Sequence, residues 1–170
     1  MSSAASLVRG ADAPPLIEHT IGEALALAAA RWGEREALVS VEQDIRWTFA
    51  ELLERADAFA AGLLALGLEP GERIGIWAPN CIEWTLTQFA AARAGLILVT
   101  INPAYRTSEA SFTMAKVGLA ALVFMDRFKT SDYASMVAEI APDLPALRRI
   151  LCIGTARRPG WIAFDQVAGH

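Results

Sequence analysis

Residues able to do chemistry are few in this sequence, and they do not assemble into a familiar set. Histidine occurs only at positions 19 and 170, near the two ends of the chain. No nucleophile has an obvious histidine partner, so a histidine-based triad is not expected. Phosphate-cradling loops are missing: there is no GxGxxG, and no GxxxxGK followed by Ser or Thr. HExxH, CxxC and GxSxG are missing too. The carboxylate pairs Glu34/Glu36 and Glu51/Glu54 fall on polar helix faces or in loops and read as solvated surface charge. Cys81 and Cys152 lie among apolar neighbours and read as buried free thiols, which fits a reducing, cytoplasmic setting. Three basic residues, Arg106, Arg127 and Lys129, stand in loops or at element ends. Arg106 follows a strand ending at Ile101, and loops after parallel strands are where α/β ligand sites form. The competing reading is ordinary surface charge. Of the five tryptophans, Trp32, Trp77 and Trp84 fit core positions of their elements, Trp47 fits a hairpin face, and Trp161 is unplaced. Core packing is the first reading and an aromatic ligand pocket the second.

The elements that must hold these residues alternate between strands and helices. Thr20 to Glu23 reads as a capping box opening a helix with Ile21, Leu25, Ala28, Ala29 and Trp32 at helical spacing, stopped by a left-handed Gly33. Segments 37–41 and 45–48 read as a hairpin across Glu42-Gln43-Asp44. A second capping box, Thr48 to Glu51, starts a helix with Leu52, Ala56, Phe59, Ala60, Leu63 and Leu64 on one face, closed by Gly67. A strand follows over 73–77, then a helix capped by Asn80 running toward Gly95. Segment 96–101 is a near-continuous apolar run, the pattern of a strand covered on both faces. Asn102-Pro103 breaks it, and Thr107 or Ser108 caps a helix to about Val117. Strands at 120–124 and 149–153 flank a short helix at 131–140. Segment 154–160 is a polar loop, and 161–167 is left without an assignment. Strands alternating with helices predict an α/β fold: three layers, a mainly parallel sheet flanked by helices, and a short antiparallel strand pair near the N-terminus. Residues 1–19 are expected to be a flexible N-terminal arm, and residues 20–170 the α/β unit.

Composition sets the outer bounds. The chain has 170 residues, 54% of them hydrophobic, which excludes intrinsic disorder. Its net charge of −4 argues against nucleic acid as a partner. The longest apolar run, 89–101, contains Arg93 and is shorter than a transmembrane span needs.

Several segments together resemble the opening of the adenylate-forming, AMP-binding enzymes. They are Thr48-Phe49-Ala50-Glu51-Leu52, the run from Leu66 through Pro70-Gly71 to Ile74, and Ala78-Pro79-Asn80-Cys81-Ile82-Glu83-Trp84. Phe89 to Gly95 fits as well. Ile101-Asn102-Pro103-Ala104-Tyr105-Arg106-Thr107-Ser108-Glu109, with Lys116-Val117-Gly118 and Phe128-Lys129-Thr130, is most similar to the fatty-acyl-CoA synthetases, in particular the medium-chain type. The resemblance covers about residues 20–169.

That resemblance implies the N-terminal subdomain of an acyl-CoA synthetase. It implies a ligase that joins an acid to ATP with release of pyrophosphate, then transfers the acyl group to coenzyme A, with Mg2+ assisting the first step. The family's Ser/Thr/Gly-rich phosphate loop, ribose-binding acidic residue and C-terminal catalytic lysine have no counterpart here, so no catalytic residue and no metal ligand is carried over. Arg106 is the one residue carried over, as a contact to the phosphates of coenzyme A. The resemblance further implies that the remainder of the synthetase chain is the principal partner, that the isolated 170 residues are inactive and bind no cofactor tightly, and that an exposed apolar face docks the remainder or self-associates. A free-standing binding or interaction module derived from the same fold is the alternative.

Overall fold

The computed structural model describes residues 10, 11 and 13–169. Most of the expected arm lies outside the described residues; 15–19 are exposed and form no regular element.

In chain order the elements are α1 (Ile21–Trp32), β1 (Glu36–Ser40), β2 (Ile45–Thr48), α2 (Phe49–Ala65), β3 (Arg73–Trp77), α3 (Ile82–Arg93) and β4 (Ile97–Thr100). They continue with α4 (Thr107–Val117), β5 (Ala121–Met125), β6 (Arg127–Phe128), β7 (Ser131–Asp132), α5 (Tyr133–Ile140), β8 (Arg149–Ile153), β9 (Trp161–Ala163) and α6 (Phe164–Ala168). β4, β3, β5, β8 and β9 form one parallel sheet in that order. β1 and β2 pair antiparallel, as do β6 and β7. The three-layer α/β expectation therefore holds.

Side-chain alternation along the strands builds a core on each face of the sheet. Ile74, Ile76, Ala121, Val123, Leu151 and Ile153 face the layer of α1, α2, α3 and α6. Trp77, Leu122, Phe124 and Cys152 face α4 and α5, where Ala110, Met114, Tyr133 and Val137 are buried. Arginines at the starts of strands tie down helix ends at the opposite edge from the ligand-side loops. Arg73 Nε donates to Val117 O at 2.8 Å, and Arg149 Nε donates to Leu66 O at 2.7 Å, satisfying carbonyls that α4 and α2 leave open.

Both Thr-Glu capping boxes form as expected, at Thr20 and Thr48. Five local expectations are corrected. Gly33 is right-handed, with φ −43°, because the chain turns on into β1 and Gly33 O accepts the Ala50 amide instead. Trp32 is 38% exposed, lying against Phe49 at the rim of the core. Leu64 is exposed, since it sits a full 100° around the helix from Leu63, which takes the core position. β4 is a sheet edge and not a strand covered on both faces: Ile97 is 51% exposed, while the flanking Leu96 and Ile101 are buried. At α4 the cap position falls on Arg106, whose amide donates to Glu109 Oε2 at 3.0 Å.

The start of α3 departs from its expectation by a longer reach. Asn80 belongs to the bend after β3, and Cys81 occupies the cap position without a side-chain bond. The cap comes from the β1–β2 turn. Gln43 Oε1 accepts the Ile82 amide at 2.9 Å, and Gln43 Nε2 donates to both Glu83 carboxylate oxygens at 3.1 Å. A residue 39 positions away thus does the work of a local cap. At the other end of that layer, Gly62 lets α2 and α6 touch. A Cβ at Gly62 would stand 2.5 Å from Val167 O.

Two outcomes are expected from these contacts. Gln43→Ala should lower unfolding free energy by about 1–2 kcal/mol, the range for losing a helix cap. Gln43→Glu should destabilise further at neutral pH, by facing a second carboxylate to Glu83, and should recover as pH falls through the carboxylate range; denaturant titration at two pH values reads both. Gly62→Ala should destabilise by about 1–3 kcal/mol through the clash with Val167. Alanine would otherwise favour the helix by about 1 kcal/mol, so a stabilised variant would show that α6 does not dock as described.

Candidate functional site

The ligand-side edge of a parallel sheet is where its strands end and its loops begin. Here α3 leaves β3 toward one face, while α4 and α5 leave the neighbouring β4 and β5 toward the other. The loops of β3, β4 and β5 therefore part at this edge, and the segment Asn102–Arg106 lies there.

Asn102 and Pro103 shape that segment as a tight turn. The Tyr105 amide donates to Asn102 O at 3.0 Å, and the Ala104 amide donates to Asn102 Oδ1 at 2.9 Å. Proline at the second turn position presets its φ. Two buried aromatic residues hold the turn from inside the core. Trp77 Nε1 donates to Asn102 O at 3.2 Å, and the Tyr133 hydroxyl donates to Pro103 O at 2.8 Å. Their rings pack with centroids 4.9 Å apart. Burial pushes the Tyr133 hydroxyl above its ordinary pKa, so it is a neutral donor. Arg106 stands at the end of the turn, exposed, with Nη1 donating to Ser131 Oγ at 3.1 Å.

Of the three basic residues singled out in the sequence, Arg127 is paired with a carboxylate, Lys129 lies over an aromatic ring, and among the described residues the Arg106 guanidinium meets only a hydroxyl. Arg127 pairs with Asp132 at 3.1 Å across the β6–β7 hairpin. Lys129 sits at the hairpin tip in the left-handed region, φ 52°, with its ammonium 5.2 Å from the Phe128 ring centroid. Carboxylates at this edge are engaged with backbone amides. Asp126 accepts from Thr155 N at 2.7 Å and Ala156 N at 3.1 Å, which is possible because Gly154, φ 113°, carries no side chain to collide with it. The Ser135 amide, first, and Arg127 hold the Asp132 carboxyl below its ordinary pKa. The first amides of α4, its own and that of Arg106, do the same for Glu109. Among the described residues no group of three His, Cys, Asp or Glu is placed to share a metal ion.

The other sequence candidates have structural roles. Glu51 completes a capping box and Glu36 pairs with Arg46 on the surface. Cys152 is buried as expected, but Cys81 only partly so. Burial raises their thiols to about 11 and about 12 respectively, far from the thiolate a nucleophile needs. Trp47 and Trp77 are core residues, and Trp161 packs edge-on to Phe124 at 5.0 Å. Reading the sequence misses Tyr133 and Ser131, because the two-residue strands β6 and β7 are too short to leave a periodic signal.

Comparison with known proteins gives the same direction. The family described as AMP-binding enzyme matches residues 25–168. Medium-chain acyl-CoA ligase ACSF2, mitochondrial, from Homo sapiens is 41% identical over 175 residues, covering 95% of this chain and 28% of that protein. Its Danio rerio counterpart is 43% identical over 139 residues, covering 82% of this chain and 23% of that protein. The chain thus spans under a third of the length of these relatives. The acetoacetyl-CoA synthetase from Streptomyces lividans superposes with a TM-score of 0.79 at 27% identity, over 89% of this chain and 25% of that one. Both vertebrate names say mitochondrial, at odds with the cytoplasm expected from the thiols. For this chain, no helix among the described residues is long and apolar enough to cross a membrane. The matched span, the sequence identity and the shared sheet architecture together show that this chain belongs to the AMP-binding enzyme family.

Proposed function

We propose that these 170 residues form the N-terminal part of an ATP-dependent fatty acid–CoA ligase, supplying a scaffold and one substrate contact. The carrying observation is the 41% identity, over 95% of the chain, to a protein named as a medium-chain acyl-CoA ligase. In the reaction, a carboxylate oxygen of the acid attacks the α-phosphorus of ATP and pyrophosphate leaves. The thiol sulfur of coenzyme A then attacks the acyl carbon of the adenylate, and AMP leaves.

Arg106 is the contact this chain gives to coenzyme A. Its guanidinium is exposed at the ligand-side edge, and a planar fork of N–H donors suits phosphate oxygens. Among the described residues no three of His, Cys, Asp or Glu stand close enough to share an ion, so no Mg2+ ligand is proposed within this chain. No step through the metal is assigned to these residues. The remainder of the ligase is the partner for apolar side chains left in water, such as Ile97 on the free edge of β4. In the isolated chain such side chains favour self-association.

The test uses octanoate-dependent exchange between ATP and pyrophosphate. A full-length polypeptide containing this chain is expected to catalyse exchange and to form octanoyl-CoA, while the 170 residues alone show no exchange above blank. Exchange by the isolated chain would overturn the scaffold reading. A full-length polypeptide inactive across short-, medium- and long-chain acids would overturn the ligase reading.

A further inference from the structure

Besides Trp77, which holds Asn102 O, the turn that carries Arg106 is anchored by one short segment, Ser131 to Tyr133, that belongs to a different strand–helix unit. Ser131 Oγ accepts from Arg106 Nη1 at 3.1 Å. Two residues later the Tyr133 hydroxyl donates to Pro103 O at 2.8 Å. One anchor thus holds the guanidinium and the other holds the backbone three residues before it.

Tyr133 is fully buried. Packing at this position needs only the ring, which lies against Trp77. A phenylalanine would fill the same space without a hydroxyl to desolvate. A buried hydroxyl is kept at a cost unless it is hydrogen-bonded, and this one bonds outside its own helix, to a carbonyl of the Arg106 turn. Pro103 is itself exposed, so water could satisfy its carbonyl if the tyrosine hydroxyl were absent. What the hydroxyl adds is restriction of the turn's position. An arginine side chain has many rotamers, and fixing its root and its tip before the ligand arrives reduces the ordering cost of binding.

We propose that Tyr133, together with Ser131, is a positioning residue for the thioester-forming step: it fixes the Asn102–Arg106 turn so that the Arg106 guanidinium is preset for a phosphate of coenzyme A. This rests on the assignment of Arg106 to coenzyme A above.

The experiment uses the full-length ligase containing this chain, with the KM for coenzyme A measured beside acid-dependent ATP–pyrophosphate exchange, which reads folding and adenylation. Tyr133→Phe is expected to raise the KM for coenzyme A about fivefold, the equivalent of one hydrogen bond, with exchange within about twofold of the parent. Ser131→Ala, a change at a half-buried site with little risk to folding, is expected to act in the same direction. Arg106→Ala should raise the same KM at least as far, and Tyr133→Phe should then add nothing in the Arg106→Ala background. If Arg106→Ala raises the KM while both Tyr133→Phe and Ser131→Ala leave it unchanged, the positioning role is overturned and the Arg106 assignment stands. If Arg106→Ala leaves the KM unchanged, the Arg106 assignment itself falls. A Tyr133→Phe variant that loses exchange and thioester formation in parallel, with Ser131→Ala silent, assigns Tyr133 to the fold alone and overturns the proposal.

Discussion

Strands β3, β5 and β8 are buried on both faces, and most of the molecule follows from that. Each needs apolar residues at consecutive positions, and each consecutive pair must find a different layer of helices. Ile76 and Trp77 are neighbours in sequence yet belong to opposite cores. The chain must therefore supply helices to both sides, and each exit from a parallel strand leaves a loop at the same edge. With β3 between β4 and β5, consecutive loops diverge there and leave backbone available to a ligand.

Core packing and site geometry meet in the aromatic pair of the second core. Trp77 and Tyr133 are large enough to fill the space between the sheet and α5, but each brings a polar atom into a dry layer. Both atoms find acceptors on consecutive carbonyls, Asn102 O and Pro103 O, where the chain leaves β4. The turn bearing Arg106 is thereby fixed by the interior and not by its own surface. The far edge of the sheet is held differently. Arg73 and Arg149 close helix ends, and Arg148 pairs with Glu72, whose carboxyl is held down to about 2 by the Arg148 guanidinium and the Glu69 amide. Latches at one edge and an anchored turn at the other suit a unit whose rigid part is the sheet between them.

Much of this is legible in the sequence because the signals are local. Both Thr-x-x-Glu boxes, the strand at 73–77 and the strand at 149–153 are each announced by residues within a few positions of one another. Expectations fail where the deciding contact is distant. The cap of α3 is supplied by Gln43 from the hairpin turn, and no neighbour of Asn80 reveals it. β4 has the composition of a central strand, yet its place at the edge depends on the order in which strands assemble. The same holds at the site. Arg106 is visible as a basic residue after an Asn-Pro break, but its anchors lie 25 and 30 positions away from the groups they hold.

Titration behaviour bounds what the unit can contribute to a reaction. Where a shift is resolved at the site, hydrogen bonding drives the carboxyls of Glu109 and Asp132 down, while burial drives the Cys152 thiol and the Tyr133 hydroxyl up. Each group moves away from neutrality, the opposite of what a general acid or base requires. A general base works by giving up its present hydrogen bond, whereas these carboxylates hold the amides that shape the loops. An exposed guanidinium is different in kind. It stays charged across the physiological range, transfers no proton, and acts through position alone. On the proposed assignment of Arg106, a unit of this design acts by where it holds a charge, and its effect belongs in substrate affinity and orientation.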